Sequence, residues 1–455
     1  MKQNQAISRD IFRLILPVMM ENILQMAATV VVTAMVGRLL ADDISAQGVS
    51  ARLTNLCWTA IKGIGVGVTV NVALRFGQKR FGLCRRITEQ SYLTLIPVSF
   101  LFIALLSLMP DTFLRFFTQE PDLLEKASGY LHIAVWAIPF QTVSIVNAAA
   151  FQGQGDTRTP LLIAIFMNGL NIAIGYGMIF GIGNFEGMGI YGAALTTVLA
   201  QMFSAALGLI LLYRRTGLFR QNPHGKVFFS LDREAVRSVY ATGAPASGEN
   251  ILWQLGSILL SKIMLGYGSS VYAAYQLGVQ AEMFFEMPAM GFTIASTTLA
   301  ARSIGQQDDT LFRGYFKRLR LFALVLGTAA SLLLFLLPVP LMGLLTDKQE
   351  LITLGSKYVF LMGFAQLPQS LVKVYDGTTR AAGYKRVPLF VAAAGVWLVR
   401  VPFSMLFAWG LQWDIAFVWG AIAADQIVRI LLSTSIFRKK RVIDTVTSHP
   451  AGAAG

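Results

Sequence analysis

The chain has 455 residues, of which 55% are hydrophobic and only 14% charged, with a mean hydropathy of +0.59. A soluble domain carries roughly 25% charge, so this composition describes a membrane protein. The net charge of +14 lies in short clusters between apolar runs and never tracks one face as a phosphate backbone would require, which excludes nucleic acid as the partner.

The opening MKQNQAISRD has no small-residue cleavage site and leads into a full-length apolar stretch, so the first helix reads as retained and not as a signal peptide. About 20 apolar residues at 1.5 Å each span roughly 30 Å of hydrocarbon. Such segments lie near 12–36, 50–74, 92–110, 129–151, 160–182, 188–213, 240–265, 271–300, 320–340, 355–375, 388–410 and 413–437. The expectation is an all-α membrane protein with twelve transmembrane helices, those near 50–74 and 271–300 being weakened by Gly, Pro and charge. Of the 38 Lys and Arg residues, 27 fall in segments or tails on one side of these spans. The other side holds five: Arg38, Arg115, Lys126, Lys348 and Lys357. That asymmetry places both termini in the cytoplasm. The cysteines, Cys57 in an apolar run and Cys84 in a basic loop, form neither a disulfide framework nor a metal site.

PVMMENILQ begins at Pro17 and PASGENILW at Pro245, an offset of 228. The same offset joins Gly63 to Gly291, Gly77-Gln78 to Gly305-Gln306, Pro110 to Pro338, Tyr130 to Tyr358, Gln141 to Gln369, Gly155 to Gly383 and Pro160 to Pro388. Loop prolines and polar residues matching at one offset mark a duplication. Six spans per half is an even number, so the halves are parallel repeats, an architecture in which transporters rock two bodies about a site between them. The expected bodies are 1–213 and 239–437, joined by a basic cytoplasmic linker at 214–238, whose Val227–Phe229 can rest on the membrane surface, and followed by a cytoplasmic tail at 438–455.

Charges inside the spans are the candidate working parts, because burying one at membrane depth is expensive. With the first helix starting near Phe12, Glu21 lies about 14 Å into it. Asn22 and Gln25 extend a polar patch beside it, and Glu249 and Asn250 repeat the design. Either these groups line a water-reachable cavity, or the Pro and Glu serve a kinked helix as structural partners. Glu282 and Glu286 are four apart on one helical face, and their mutual repulsion makes them a candidate coupling element. Their alternative is structural pairing with Lys262 or Arg52. Lys373 with Asp376, and Asp425 with Arg429, have ion-pair spacing. Lys62 and Arg400 have no acid close by on their own helices and call for an interhelical acid or an anionic substrate. Gly63, Gly65 and Gly67 suit close helix packing, and Asp156 suits a helix cap. Trp58, Tyr272, Tyr275, Phe284 and Phe285 fit either a substrate pocket or ordinary core and lipid contacts. No HExxH, paired metal motif or GxSxG elbow is present, so an enzyme is not expected.

The segments LPVMMENILQ, VGRLLADDISAQG, FQGQGDTRTP, GAPASGENILW and MPAMGFTIASTTLAARSIGQ, in this order and with this duplication, resemble the multidrug and toxic compound extrusion (MATE) family over roughly residues 12–437. The resemblance implies two six-helix bundles forming a V. It also implies efflux of organic cationic or amphipathic compounds against inward H+ or Na+ flow, with no other cofactor. The substrate would be a small organic molecule, membrane lipid the surroundings and a prokaryotic plasma membrane the location; no soluble assembly module is visible in the sequence, so a monomer is the default working state. The ion-coupling or substrate-binding set is then Glu21, Asn22, Gln25, Lys62, Glu249, Asn250, Glu282, Glu286, Asp376 and Arg400. Two features depart from the family pattern. Val32 stands where a first-helix Asp is usual, and the neighbourhood of Gln254 lacks the Phe-Glu of one branch. The alternative within the wider fold group is a lipid-linked oligosaccharide flippase, which would employ Arg52, Lys62, Lys373 and Arg400 at an anionic headgroup.

Overall fold

The computed structural model describes residues 2–36, 38, 41–115, 120–183, 185–215 and 231–448. Most of the expected linker, including Val227–Phe229, and tail residues 449–455 lie outside the described residues. Within them the protein is all-α apart from a two-stranded hairpin pairing Gly181–Ile182 with Phe185–Glu186.

In the first half the helices are α1 (Lys2–Val36), α2 (Ala41–Gly77), α3 (Phe81–Leu108), α4 (Pro110–Leu114), α5 (Pro121–Ala134), α6 (Ala137–Gln154), α7 (Arg158–Phe180) and α8 (Gly189–Arg215). The second half has α9 (Arg233–Gly266), α10 (Ser269–Gln306), α11 (Asp309–Leu336), α12 (Pro338–Gly343) and α13 (Gln349–Ala381). A broken helix follows over 387–410, with π-helical turns at Ala394–Arg400 and Leu406–Gly410, and then α14 (Ile415–Lys439). Among the described residues eight helices are long and apolar enough to cross a membrane, and nine if α5 and α6, bent by 46°, form one span. Pro139 explains that bend, since it has no N–H to offer the carbonyl of Val135. Large apolar side chains such as Leu101 and Leu108 on α3 and Val325 and Leu332 on α11 remain exposed, as lipid-facing positions do.

Capping follows the sequence closely. Asp156 accepts from the backbone N–H of Arg158 and of Thr159, each at 3.1 Å, and Asp308 does the same for Leu311 at 2.9 Å. The duplication is physical as well as textual. Pro110 and Pro338 each open a short helix, and Gly155 and Gly383 both take left-handed φ values, 87° and 92°, just past a helix end.

Two compact units are present: Met20–Ser247, and Met1–Met19 together with Gly248–Gly455. The cuts fall inside α1 and α9, and they too are 228 residues apart. Each unit therefore holds the N-terminal piece of a first helix whose remainder belongs to the other. In the unit Met20–Ser247, Gly63 and Gly67 of α2 approach α9 so closely that a Cβ on Gly63 would overlap the Ser247 backbone. A Cβ on Gly67 would overlap the Val239 carbonyl. The second unit repeats the device, with Gly291 of α10 against Ile15 of α1. The expectation that these glycines serve close packing is borne out. Around them lies a core containing Val68, Val72, Phe151 and Val239 in one unit, and Ile11, Phe292, Phe316 and Phe437 in the other. In the second unit α13 is the hub, packing against α10, α11 and α14.

Candidate functional site

The unit built around α13 gathers most of the membrane-depth charge. Glu286 on α10 accepts from Lys373 Nζ of α13 at 2.8 Å. The expected Lys373–Asp376 pair is therefore corrected: the α10–α13 packing brings an interhelical acid closer than the i+3 neighbour. For Glu286 the partner is thus Lys373, not Lys262 or Arg52, the alternative partners the sequence offered. Glu282, one turn before Glu286, is held by neutral donors, Tyr358 Oη at 2.8 Å and Gln366 Nε2 at 3.1 Å. Tyr358 is set by packing. Tyr275 and Trp419 meet its ring edge-on at 5.3 and 5.7 Å, and it fills space that a Cβ on Gly278 would take.

Glu249 of α9 is bonded to Arg380, near the end of α13. Asp376, one turn before Arg380, makes no hydrogen bond or ion pair among the described residues, although Glu249, Arg380, Arg429 and Lys373 all act on it electrostatically. A third cluster centres on Asp425 of α14, which is fully buried. Arg429 Nε reaches its Oδ1 at 2.8 Å, the expected i,i+4 pair, and Arg400 Nη2 reaches Oδ2 at 2.7 Å. The interhelical acid sought for Arg400 is thus Asp425. Both guanidinium groups lie over Trp253 of α9, at 4.4 Å for Arg400 and 4.3 Å for Arg429. Gly395 makes room, since a Cβ there would overlap Asp425 and Arg429. The π-helical segment ending at Arg400 is a local irregularity of the kind that accompanies working sites.

In the unit Met20–Ser247, Glu21 Oε2 is shielded from solvent and has no hydrogen-bond partner among the described residues. Lys62 is the charge that acts on Glu21, and its ammonium sits 4.5 Å over the Trp58 ring. Asn22 and Val32 are half-buried and Gln25 is exposed. Glu249, Glu282, Glu286, Asp376 and Arg400 are thus assembled in one unit, and Glu21, Asn22, Gln25 and Lys62 in the other. Asn250 lies one residue past Glu249 on α9.

Sequence reasoning passed over Arg380, Tyr358, Gln366 and Trp253. Arg380 was hidden because the expected span ended at 375, whereas α13 continues to Ala381. Nothing local distinguishes Tyr358 or Trp253 from lipid-facing aromatics. The available signal was polarity: α9, α10 and α13 are the long helices that fall short of a purely apolar span, and they carry these charges.

Ionisable side chains kept inside apolar helices mark a pathway for ions or solutes, so fold and site together define a multi-pass membrane transporter. Among the described residues no three His, Cys, Asp or Glu converge as metal ligands. The family model MatE matches residues 17–177 and 245–406, two pieces that begin at Pro17 and Pro245. The chain belongs to this family, the MATE transporters. It is 26% identical over 432 residues to the probable multidrug resistance protein NorM of Thermotoga maritima, covering 95% of this chain and 92% of that one. It is 23% identical to the probable multidrug resistance protein YoeA of Bacillus subtilis, covering 97% and 96%. Among solved structures, a variant of the Vibrio cholerae MATE transporter VcmN superposes with a TM-score of 0.88 at 16% identity, covering 97% of this chain and all of that one. A Pyrococcus furiosus transporter described as having a binding pocket of reverse polarity gives 0.83 at 17% identity, with 96% of each chain covered. The protein is a secondary-active, alternating-access exporter of small organic molecules driven by an ion gradient, and not an enzyme.

Proposed function

We propose that Asp376 and Glu282 are the cation-coupling groups, and that the exported compounds are organic cations or amphiphiles moved against inward H+ or Na+ flow. One observation carries this reading. The network around α13 contains five carboxylates, Glu249, Glu282, Glu286, Asp376 and Asp425, but four cationic side chains, Lys373, Arg380, Arg400 and Arg429. Direct pairing uses all four cations on Glu286, Glu249 and Asp425. Glu282 is left with neutral donors and Asp376 with none. A carboxylate at membrane depth without a cation of its own recruits one from solution, as a proton or as Na+. If the two access states bind that cation unequally, its gradient drives the exchange between them.

The same reading takes the chain as twelve spans in two bodies forming a V. The eight apolar helices, the bent α5–α6 pair and the three long charged helices α9, α10 and α13 add up to that number. The bodies are taken as the repeats 1–213 and 239–437, with 214–238 as linker and 438–455 as tail, whereas the two compact units divide within α1 and α9. The basic-residue asymmetry supports cytoplasmic termini in a prokaryotic plasma membrane, and the working unit is taken as a monomer. The flippase alternative has less support, because Lys373 and Arg400, two of the four cations it needs for a headgroup, are occupied by Glu286 and Asp425.

The test is transport of the cationic dye ethidium by purified protein in liposomes under a pH or a Na+ gradient imposed separately. Asp376→Asn and Glu282→Gln should each abolish gradient-driven movement while leaving the folded yield unchanged. Full transport by both variants would sink the assignment.

A further inference from the structure

Arg380 is 5% exposed, and its Nη2 lies on Glu249 while its Nε has no hydrogen-bond partner among the described residues. Asp376 precedes it by four residues on α13, which places both on one helical face. A guanidinium offers donors along two edges, so one arginine can stand between two carboxylates. The remaining charges that act on Asp376 are already engaged, Lys373 with Glu286 and Arg429 with Asp425. Glu249 and Asp376 with Arg380 therefore form a group of two negative charges and one fixed positive charge. We infer that Arg380 is a built-in substitute for a second coupling cation, so that the Glu249–Asp376 site takes up one monovalent ion per cycle instead of two.

This inference rests on the coupling role proposed above for Asp376. The repeat supplies an internal comparison. At an offset of 228, Glu249 corresponds to Glu21, but Asp376 corresponds to Ala148 and Arg380 to Gln152. The first repeat keeps the glutamate and has neither the second acid nor the arginine. Two half-buried carboxylates at membrane depth without a cation between them would be costly, and a tethered guanidinium removes that cost without drawing an ion from solution.

The experiment counts ions moved per ethidium from the gradient at which net dye flux in liposomes is zero, with the H+ and Na+ gradients varied separately. Arg380→Gln should raise the ratio by one ion. Glu249→Gln leaves the site without net charge, as Asp376→Asn does, and should likewise abolish gradient-driven movement. Both the double variant Glu249→Gln/Arg380→Gln and Arg380→Lys should keep the wild-type ratio. An unchanged ratio in folded Arg380→Gln overturns the inference. If that variant does not fold, retained gradient-driven flux in Glu249→Gln, or an altered ratio in the double variant, overturns it instead. Failure of the underlying reading looks different: Asp376→Asn would then keep gradient-driven flux. An inert Asp376→Asn together with an unchanged Arg380→Gln ratio removes the arginine's role alone.

Discussion

Replacing Asp425 by Asn tests whether the Asp425, Arg400 and Arg429 cluster holds the second unit together. The carboxylate is fully buried, and the two guanidinium groups that share it are 7% and 5% exposed. Its contacts are 2.7 Å to Arg400 Nη2 and 2.8 Å to Arg429 Nε. The Arg429 contact is a charge-assisted hydrogen bond, of a kind that contributes about 1.5–3 kcal/mol, and the Arg400 contact is an ion pair without hydrogen-bond geometry; removing one partner of a buried ion pair costs about 3–5 kcal/mol because the other charge is left uncompensated. Asn keeps the volume and one acceptor oxygen, and Trp253 still faces both cations, so the expected loss lies at the low end, about 3 kcal/mol. At roughly 2 °C per kcal/mol for a large chain, the melting midpoint in detergent should fall on the order of 6 °C.

The assay is thermal unfolding followed by tryptophan fluorescence. Two comparisons isolate the cause. The double variant Asp425→Asn/Arg429→Gln should recover part of the loss, because one stranded cation is removed with its partner. Asp414→Asn should be silent, because Asp414 only caps α14 through the Ala416 N–H, at 2.9 Å, and Asn caps equally well. A midpoint for Asp425→Asn within about 1 °C of wild type would refute the reasoning, since two buried guanidinium groups cannot lose their shared carboxylate without cost.

Tyr358→Phe removes one of the two donors to Glu282 and should slow gradient-driven transport about tenfold or more in liposomes, with unchanged folded yield. Gly63→Val places side-chain atoms into the Ser247 backbone and should destabilise by more than about 3 kcal/mol, or abolish folded protein on size exclusion. Gly48→Ala, in a helix with open space around it, should be neutral or stabilising by up to about 1 kcal/mol in the same melting assay. Val442→Asp should lower the midpoint by several degrees. Val442 is fully buried beside Phe437 and the α1 residues Ile7 and Ile11, and Asp444 behind it is bonded to Arg313 at 2.7 Å. Equal melting of Val442→Asp and wild type would refute the packing of this stretch on α1.

Much of the architecture was legible before any coordinates. Apolar runs of span length, the 228-residue offset and the Pro and Gly positions are local or periodic signals, and they reappear as helices, helix starts at Pro110 and Pro338, and left-handed turns at Gly155 and Gly383. The Asp425–Arg429 pair was equally readable, because both partners ride on one helix. Pairings between helices were not. Lys373 has Asp376 three residues away and takes Glu286 instead, a choice made by how α10 packs on α13. Arg380 fell outside the span expected near 355–375 because polarity ends a hydropathy span before it ends a helix.

The sequence by itself determined that the chain is a duplicated membrane protein of helices with costly acids inside them, since hydropathy and periodicity act over neighbouring residues and need no fold. Which acid meets which cation was decided only by the tertiary structure. Ion pairs form over a few ångströms, and packing of α9, α10, α13 and α14 sets those distances independently of spacing along the chain. For that reason the surplus carboxylates, Glu282 and Asp376, emerged only after the pairing of the others was known.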